Sequence, residues 1–195
     1  MVHIRIENLK DKALNDKIPI MQDGGIELIL DYISKNNVKS ILEIGTAVGY
    51  SAIRFASIGS DISVTTIERD INRYNEAIKN INDFNLNNQI KVILGDALDT
   101  DIDGKFDLIF IDAAKSQYIK FFEKYKLNLK SDGVIITDNL SFHGLVLDDS
   151  KITSKNTRQL VKKIRNYITF LKENKEFDTE FFNVGDGISV SKFHK

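Results

Sequence analysis

A chain of 195 residues with 42% hydrophobic and 28% charged residues has room for one globular domain with a sizeable core. Its formal net charge of -1 gives no overall preference for a polyanionic partner, and the absence of cysteine excludes disulfides, thiolate metal sites and thiol nucleophiles. The charged start and the lack of a long apolar run argue against a signal peptide and a membrane-spanning helix. We therefore expect a soluble cytoplasmic protein that does not interact with membranes.

Short apolar runs rich in Ile and Val recur along the chain and predict the strands of a parallel sheet. Helix-like segments separate them, for example residues 70–85 and 115–129, whose apolar residues recur at helical spacing. This alternation indicates an α/β doubly wound domain with helices on both faces of the sheet. Two further segments, on either side of Gly185 and Gly187, predict an antiparallel pair of strands. The predicted core strands are SILEIG from residue 40, SVTTIE from 63, IKVILG from 90, FDLIFID from 106 and GVIITD from 133.

Acidic residues follow the predicted core strands. In an open sheet of this kind, ligands bind beyond the carboxyl ends of the strands. One capping aspartate at a strand-to-helix turn is routine. Five acids along one edge would repel one another unless a cation or hydrogen-bond donors lay between them. The five acids are Glu43, Glu68, Asp96, Asp112 and Asp138, and Asn139 follows the last of them.

The loop EIGTAVGYS at residues 43–51 differs from the dinucleotide-binding fingerprint. It reads E-x-G-x-x-x-G and lacks the middle glycine of G-x-G-x-x-G, which disfavours a pyrophosphate ligand and with it a nicotinamide oxidoreductase. An acid before the loop suits a ligand that carries positive charge and an amino group, and Glu68 is placed to accept hydrogen bonds from ribose hydroxyls. This combination points to S-adenosylmethionine. A tight turn that needs Gly45 and Gly49 for structure alone is the alternative.

Asp112, Asp138 and Asn139 are oxygen ligands at the ends of neighbouring predicted strands. Hard cations prefer this set, so we expect Mg²⁺ or another divalent cation such as Mn²⁺ or Ca²⁺. Lys115 would lie beside the cation, where positive charge and partial loss of water favour a neutral amine that can accept a hydroxyl proton. A solvated surface lysine is the alternative for Lys115. A catalytically silent binding module would require the loss of these residues, and all of them are present.

Six ordered motifs resemble the cation-dependent small O-methyltransferases, a family that includes catechol and caffeoyl-CoA methyltransferases. The resemblance extends from about Ile18 onward. It implies a Rossmann-like class I S-adenosylmethionine-dependent methyltransferase with a mostly parallel seven-stranded sheet and a C-terminal antiparallel strand pair. It further implies one domain over residues 1–195, a shortened N-terminal helical segment over 1–20, and a homodimer. The motifs are LEIGTAVGYS, IERD, GDA, IDAAKSQY, TDNLSFHG and GDGISVSK.

The resemblance also assigns a role to each candidate site residue. Lys115 matches the catalytic lysine of the family, and Asp112, Asp138 and Asn139 match its metal ligands. A substrate with two adjacent oxygens would bind the metal, lose a proton to Lys115 and attack the sulfonium methyl group. Ala47 and Ala114 stand where the catechol enzymes carry large aromatic residues. The cofactor-binding residues that the resemblance implies are Glu43, Gly45, Ala47, Ser51, Glu68, Asp96, Ala97 and Asp112.

The choice of substrate depends on weaker signals. Within the family, the chain most resembles the bacterial branch of tRNA 5-hydroxyuridine methyltransferases, with IPIM at 18–21 and the DN loop as supporting motifs. We therefore expect methylation of wobble 5-hydroxyuridine in tRNA to 5-methoxyuridine, with small catechol-like or caffeoyl-CoA-like substrates as the alternative. Residues 151–175 carry eight Lys and Arg residues against one Glu, which predicts a helix with a basic outer face. Such a face suits RNA phosphates, a coenzyme A phosphate, or solvent alone.

Overall fold

The computed structural model describes residues 2–150 and 152–194. Its strands are β1 (Ser40–Ile44), β2 (Ser63–Glu68), β3 (Ile90–Leu94), β4 (Phe106–Ile111), β5 (Leu129–Thr137), β6 (Phe177–Phe182) and β7 (Ile188–Phe193). They form one seven-stranded sheet in the order β3-β2-β1-β4-β5-β7-β6. The first five strands pair in parallel, whereas β7 is antiparallel to both β5 and β6. The predicted fold, including its C-terminal antiparallel pair, is confirmed.

The described residues also form six α-helices, which cover both faces of the sheet. They are α1 (Val2–Asn15), α2 (Asp23–Lys35), α3 (Tyr50–Ala56), α4 (Ile71–Asp83), α5 (Tyr118–Tyr125) and α6 (Lys155–Lys172). Helices α1 to α4 contribute to one apolar core, and α5 and α6 contribute to the other. Ile41 of β1 belongs to the first core and Leu42 to the second, because successive side chains of a strand point to opposite faces. Within the described ranges, no helix is long and apolar enough to span a bilayer.

Two elements differ in length from the sequence-based expectation. Strand β5 begins at Leu129 rather than Gly133. Its pairing with β4 shifts register between Phe106 and Leu108, and this shift accommodates the polar residues between Leu129 and Gly133. The helix expected over 115–129 is shorter, since 3₁₀ turns at Lys115–Gln117 and Lys126–Asn128 flank α5. A run of apolar residues marks the buried part of a strand but not its solvated end.

The N-terminal segment is helical in part, and the basic helix has a clear local cause at its start. Helix α1 lies within the segment expected to be helical, with Met1 outside the described residues. Helix α6 begins after Ser154, whose hydroxyl accepts a hydrogen bond from the amide of Thr157, and Lys151 lies outside the described residues. Its buried residues recur at helical spacing and face the second core, which leaves the basic side chains outside. They are Val161, Ile164, Tyr167 and Leu171.

The parallel strands end at a common edge, which we call the carboxyl edge; it is formed by the last residues of β1 to β5. Ser189 of β7 pairs with Thr137, the last residue of β5. Because β7 is antiparallel, it starts at this edge, and the turn between β6 and β7 lies there too. The C-terminal strand pair therefore adds a turn to the region where ligands bind in open α/β sheets.

Candidate active site

A cavity of about 310 Å³ opens at the carboxyl edge. It is lined by the loop after β1, by the residues after β2, β3 and β4, and by Asn139 after β5. The structure thus brings nine of the predicted site residues together. They are Gly45, Ala47, Ser51, Glu68, Asp96, Ala97, Asp112, Lys115 and Asn139. Glu43 and Asp138 are buried beside the cavity instead of lining it.

The loop between β1 and α3 requires its glycines. Gly45 has a φ of 103° and lies so close to the carbonyl of Asp112 that a Cβ atom would overlap it. Gly49 has a φ of 83° and precedes α3. Ala47 also has a positive φ, of 46°, and its amide donates a 2.8 Å hydrogen bond to Oε2 of Glu68. The backbone of this loop therefore lies directly against the neighbouring strand ends.

Glu43 differs from its predicted position. It lies inside β1 rather than after it, because the parallel pairing continues through Ile44. Its carboxyl group accepts hydrogen bonds from Ser51 Oγ and, at 2.6 Å, from Thr66 Oγ1. Burial raises the pKa of Glu43 to about 8, although these two hydrogen bonds oppose the rise. Burial therefore favours the protonated form of Glu43 over the carboxylate that the motif suggested.

Glu68 is the last residue of β2 and is only 6% exposed. Its Oε1 accepts a 2.9 Å hydrogen bond from the amide of Asp70, and its Oε2 accepts a hydrogen bond from the amide of Ala47. Each carboxylate oxygen is thus held by one backbone amide and keeps a lone pair for a further donor. A pair of ribose hydroxyls would supply two such donors.

Asp96 and Ala97 form the rim of the cavity after β3. Oδ1 of Asp96 accepts a 2.9 Å hydrogen bond from the amide of Leu98, which fixes the turn, and Ala97 is buried. Arg69 and Arg73 also line the cavity near Glu68, and so does the segment Pro19–Met21. These lining residues were missed in the sequence, although Arg69 directly follows Glu68 and Arg73 lies in the first turn of α4.

The candidate metal ligands combine two carboxyl groups and one amide. Oδ1 of the buried Asp138 has no hydrogen-bond partner among the described residues. Burial raises the pKa of both Asp112 and Asp138, and Coulombic repulsion by Asp112 raises that of Asp138 further. An unpartnered buried oxygen and two mutually repelling acids fit a bound cation, which would relieve both costs. No three His, Cys, Asp or Glu side chains within residues 2–150 and 152–194 are grouped to hold a metal ion, so the amide of Asn139 is needed to complete this set.

Lys115 lies where the sequence predicted, three residues beyond Asp112 and in the turn that leads into α5. Its Nζ donates a hydrogen bond to Oδ1 of Asn139 and lies 5.9 Å from the centre of the Phe142 ring. The ammonium group is thus held between a candidate metal ligand and an aromatic face. This geometry places the predicted catalytic lysine directly beside the candidate metal site.

The sheet order, the acid at the end of β2 and the cavity at the carboxyl edge define a Rossmann-like methyltransferase fold. Comparison with known proteins agrees: a protein of Staphylococcus aureus, described as a candidate caffeoyl-CoA O-methyltransferase, has a structure that superposes with a TM-score of 0.93 at 44% identity, covering 97% of this chain and 92% of that one. The Bacillus cereus O-methyltransferase solved in complex with SAH gives a TM-score of 0.83 at 26% identity, covering 97% and 90%.

Sequence comparison identifies the family. The O-methyltransferase family model matches residues 3–193, and the chain belongs to this family. A catechol O-methyltransferase of Niastella koreensis is 34% identical over 148 residues, which cover 72% of this chain and 64% of that protein. The match therefore spans somewhat less than two thirds of that relative.

Proposed function

We propose that this protein transfers a methyl group from S-adenosylmethionine to a hydroxyl that lies next to a second oxygen, with the help of a divalent cation. The observation that carries the proposal is the arrangement along one cavity, where Glu68 lies at one side and Asp112, Lys115 and Asn139 lie at the other. The first side suits the ribose of a nucleoside cofactor, and the second suits a chelating oxygen pair. The B. cereus relative solved with SAH supports this cofactor.

The cofactor would be held mainly by backbone and carboxylate groups. Glu68 would accept from the two ribose hydroxyls, and the glycine at position 45 would let the methionine part approach the loop closely. Ser51 lines the cavity, and its hydroxyl donates a hydrogen bond to the buried Glu43. Ser51 would therefore contact the ligand directly, and Glu43 would act on the ligand through Ser51. Asp96 and Ala97 would border the adenine. These contacts would orient the sulfonium methyl group toward Lys115.

The transfer itself needs one proton acceptor and no protein nucleophile. Lys115, in its neutral form, takes the proton of the acceptor hydroxyl, and the resulting oxygen anion attacks the methyl carbon as the bond from carbon to sulfur breaks. A cation held by Asp112, Asp138 and Asn139 would supply positive charge that stabilises the oxygen anion. The products are a methyl ether, SAH and protonated Lys115.

We infer wobble 5-hydroxyuridine of tRNA as the acceptor, because 5-hydroxyuracil offers a hydroxyl beside a carbonyl and because α6 carries a cationic stripe. We define this stripe as Lys155, Arg158, Lys162, Arg165 and Lys172. The first four recur three or four residues apart, Lys172 follows seven residues after Arg165, and all five are exposed. The stripe extends for about 26 Å at the helical rise per residue. Arg165 pairs with Asp149 at 2.9 Å, whereas the other four have no ion-pair partner among the described residues.

The position of α6 links this stripe to the site. The helix packs against the turn Lys115–Gln117, which carries the proposed proton acceptor. A phosphate backbone lying on the stripe would therefore pass beside the cavity. Clustered Lys and Arg side chains provide most of the affinity for such a polyanion.

A small-molecule acceptor is the second candidate. It is favoured by the names of the relatives, which include a catechol O-methyltransferase and a caffeoyl-CoA O-methyltransferase of Stellaria longipes. A catechol has two adjacent hydroxyls and satisfies the same geometry. Coenzyme A phosphates would also bind to the cationic stripe, so an experiment must decide between the two acceptors.

The test measures transfer of labelled methyl from S-adenosylmethionine, with Mg²⁺ and with chelator, to tRNA bearing 5-hydroxyuridine and in parallel to catechol and caffeoyl-CoA. Cation-dependent label in tRNA alone is the expected result. The double variant Lys155→Glu/Lys162→Glu should raise KM for tRNA at least about tenfold. The matched control Lys79→Glu/Lys91→Glu, which reverses two exposed charges away from α6, should not. Label only in the small molecules would overturn the tRNA assignment, and no label in any acceptor would overturn the methyl-transfer proposal.

A further inference from the structure

We propose that Asp186 is a positioning residue that holds the metal-ligating end of β5 and the loop after it in their working geometry. The inference rests on the proposed function, because it concerns the cation site and Lys115. Asp186 lies in the turn between β6 and β7, 47 residues beyond Asn139 in the chain. It makes no hydrogen bond to the candidate metal ligands and does not line the cavity, although its charge is near enough to raise the pKa of Asp138. Its hydrogen bonds act through residues 140–143.

Asp186 binds the loop at three points. Its Oδ1 accepts a 2.8 Å hydrogen bond from Ser141 Oγ and a 2.5 Å hydrogen bond from the amide of His143. Its backbone carbonyl accepts a 2.7 Å hydrogen bond from the amide of Ser141. The next carbonyl, that of Gly187, accepts a 2.9 Å hydrogen bond from the amide of Leu140. Four donors immediately after Asn139 are therefore satisfied by two consecutive residues of one turn.

The turn is built for this close approach. Asp186 is 6% exposed and is flanked by Gly185 and Gly187, whose φ values are 59° and 83°. A Cβ atom on Gly187 would lie 2.8 Å from the amide nitrogen of Ser141. Only glycine leaves room for the two backbones to meet there. The motif GDG thus combines a buried acceptor with the conformations that bring it to the loop.

The loop that Asp186 holds is locally unfavourable by itself. Asn139, Phe142 and His143 all have left-handed backbone conformations, with φ values of 66°, 46° and 56°. Such conformations cost on the order of 1 kcal/mol each for residues other than glycine, and they persist only where the surroundings enforce them. The hydrogen bonds to Asp186 supply that enforcement at Ser141 and His143.

The functional consequence follows from what this loop presents to the site. Asn139 accepts a hydrogen bond from Lys115, and the Phe142 ring lies 5.9 Å from the same ammonium group. Release of the loop would therefore displace one candidate metal ligand and one neighbour of the proton acceptor together. Outer partners of metal ligands commonly change metal affinity by about 10- to 100-fold.

The test compares Asp186→Ala with Asp186→Asn in the full chain. Asparagine keeps an Oδ1 acceptor for Ser141 and His143, whereas alanine does not. We expect Asp186→Ala to weaken Mn²⁺ binding, measured by electron paramagnetic resonance without acceptor substrate, by at least about tenfold. Asp186→Asn should stay within about threefold, and both variants should keep S-adenosylmethionine affinity within about twofold by calorimetry, because the cofactor residues lie elsewhere. Hydrogen exchange should accelerate in residues 140–146 of Asp186→Ala only.

The control Asp148→Ala removes an exposed acid from the same loop and should leave Mn²⁺ affinity unchanged. If Asp186→Ala does not fold, Ser141→Ala removes one donor alone and should weaken Mn²⁺ binding by a few fold. Wild-type Mn²⁺ affinity in a folded Asp186→Ala, or in Ser141→Ala where that variant serves instead, would overturn the positioning role and leave the cation site standing. Failure of the wild-type protein to bind Mn²⁺ would overturn both.

Discussion

The hydroxyl of Tyr118 donates a 3.0 Å hydrogen bond to the backbone carbonyl of Asp138, and so joins the first turn of α5 to the end of β5. Burial raises the pKa of Tyr118 well above its ordinary value, which keeps the hydroxyl protonated as a donor. Its ring lies 5.2 Å from that of Tyr167, whose own hydroxyl bonds Thr137. Two buried tyrosines of the second core thus support the end of β5.

Replacing Tyr118 by Phe should remove this donor while keeping the ring. The carbonyl of Asp138 would lose its buried partner, and we expect a loss of about 1 to 2 kcal/mol in the free energy of unfolding. Urea unfolding followed by circular dichroism measures it. Tyr74→Phe, at a half-buried tyrosine of α4, serves as the control. Equal stability of Tyr118→Phe and wild type would show that water or a backbone shift replaces the bond.

Replacing Asp138 by Ala should abolish cation-dependent methyl transfer. The variant loses one candidate ligand but none of the residues that line the cofactor side of the cavity. Calorimetry should therefore find S-adenosylmethionine affinity within a few fold of wild type. Strong turnover by this variant in the presence of chelator would contradict the metal assignment.

Replacing Lys115 by Arg should separate charge from proton transfer. Arginine keeps a positive charge that can bond Asn139, but it does not release its proton in proteins and cannot serve as a base. We expect kcat to fall by about 10²- to 10⁴-fold, the usual contribution of a general base. Cofactor affinity should stay unchanged. Near-normal kcat would assign the proton to another acceptor.

Gly45 and Gly104 offer a matched pair for testing the loop after β1. Both have positive φ, of 103° and 95°, so alanine is strained at either position. At Gly104 a Cβ atom meets nothing within 4 Å, whereas at Gly45 it would overlap the carbonyl of Asp112. Gly104→Ala should cost about 1 kcal/mol, and Gly45→Ala should cost more and abolish cofactor binding. Calorimetry and thermal unfolding distinguish these outcomes, and intact cofactor affinity in Gly45→Ala would contradict the predicted close approach.

Asp107 gives a prediction about pH. Burial alone would raise its pKa, but hydrogen bonds from Lys130 and from the amides of Lys39 and Ser40 outweigh burial and lower the pKa to about 2. Between about pH 2 and 4 the unfolded chain therefore binds more protons than the folded chain. The stabilisation that the charged carboxylate of Asp107 provides is thus present above pH 4 and is lost as the pH falls through that range.

At neutral pH the charged form of Asp107 should contribute about 1 kcal/mol, because solvent screens its pairing with the partly exposed Lys130. Asp107→Asn should lower stability near pH 7, and the difference from wild type should shrink toward pH 2. Unfolding by urea across this range measures the effect, with the exposed Asp132→Asn on β5 as the control. A difference that does not change with pH would assign the cost to lost hydrogen-bond geometry instead of charge.

Much of the site could be predicted because parallel strands end at one edge. An acid directly after a strand, such as Asp112 or Asp138, has its place set by local pairing, and Lys115 follows by the length of one turn. The position of Glu43 was predicted wrongly, because a strand end is set by pairing with both neighbours and Ile44 continues that pairing. The raised pKa of Glu43 also depends on burial that no short motif reveals.

The contacts of Asp186 could not be predicted from local sequence. They join a turn to a loop more than 40 residues earlier, and they depend on β7 lying next to β5. The motif GDG could be recognised in the sequence, but the reason for its glycines becomes clear only when the facing loop is seen in the structure. The wall formed by Pro19–Met21 depends in the same way on how α1 and α2 lie against the sheet.

The antiparallel direction of β7 carries the chain away from the carboxyl edge. Between Ile188 and Phe193 it travels roughly 17 Å at the usual rise per residue. His194 is exposed at the edge of the sheet opposite the carboxyl edge, and the sequence contains no cysteine. A His194→Cys variant would therefore accept a single thiol-reactive dye or surface linker, with the cofactor entrance left open for single-molecule or immobilised assays.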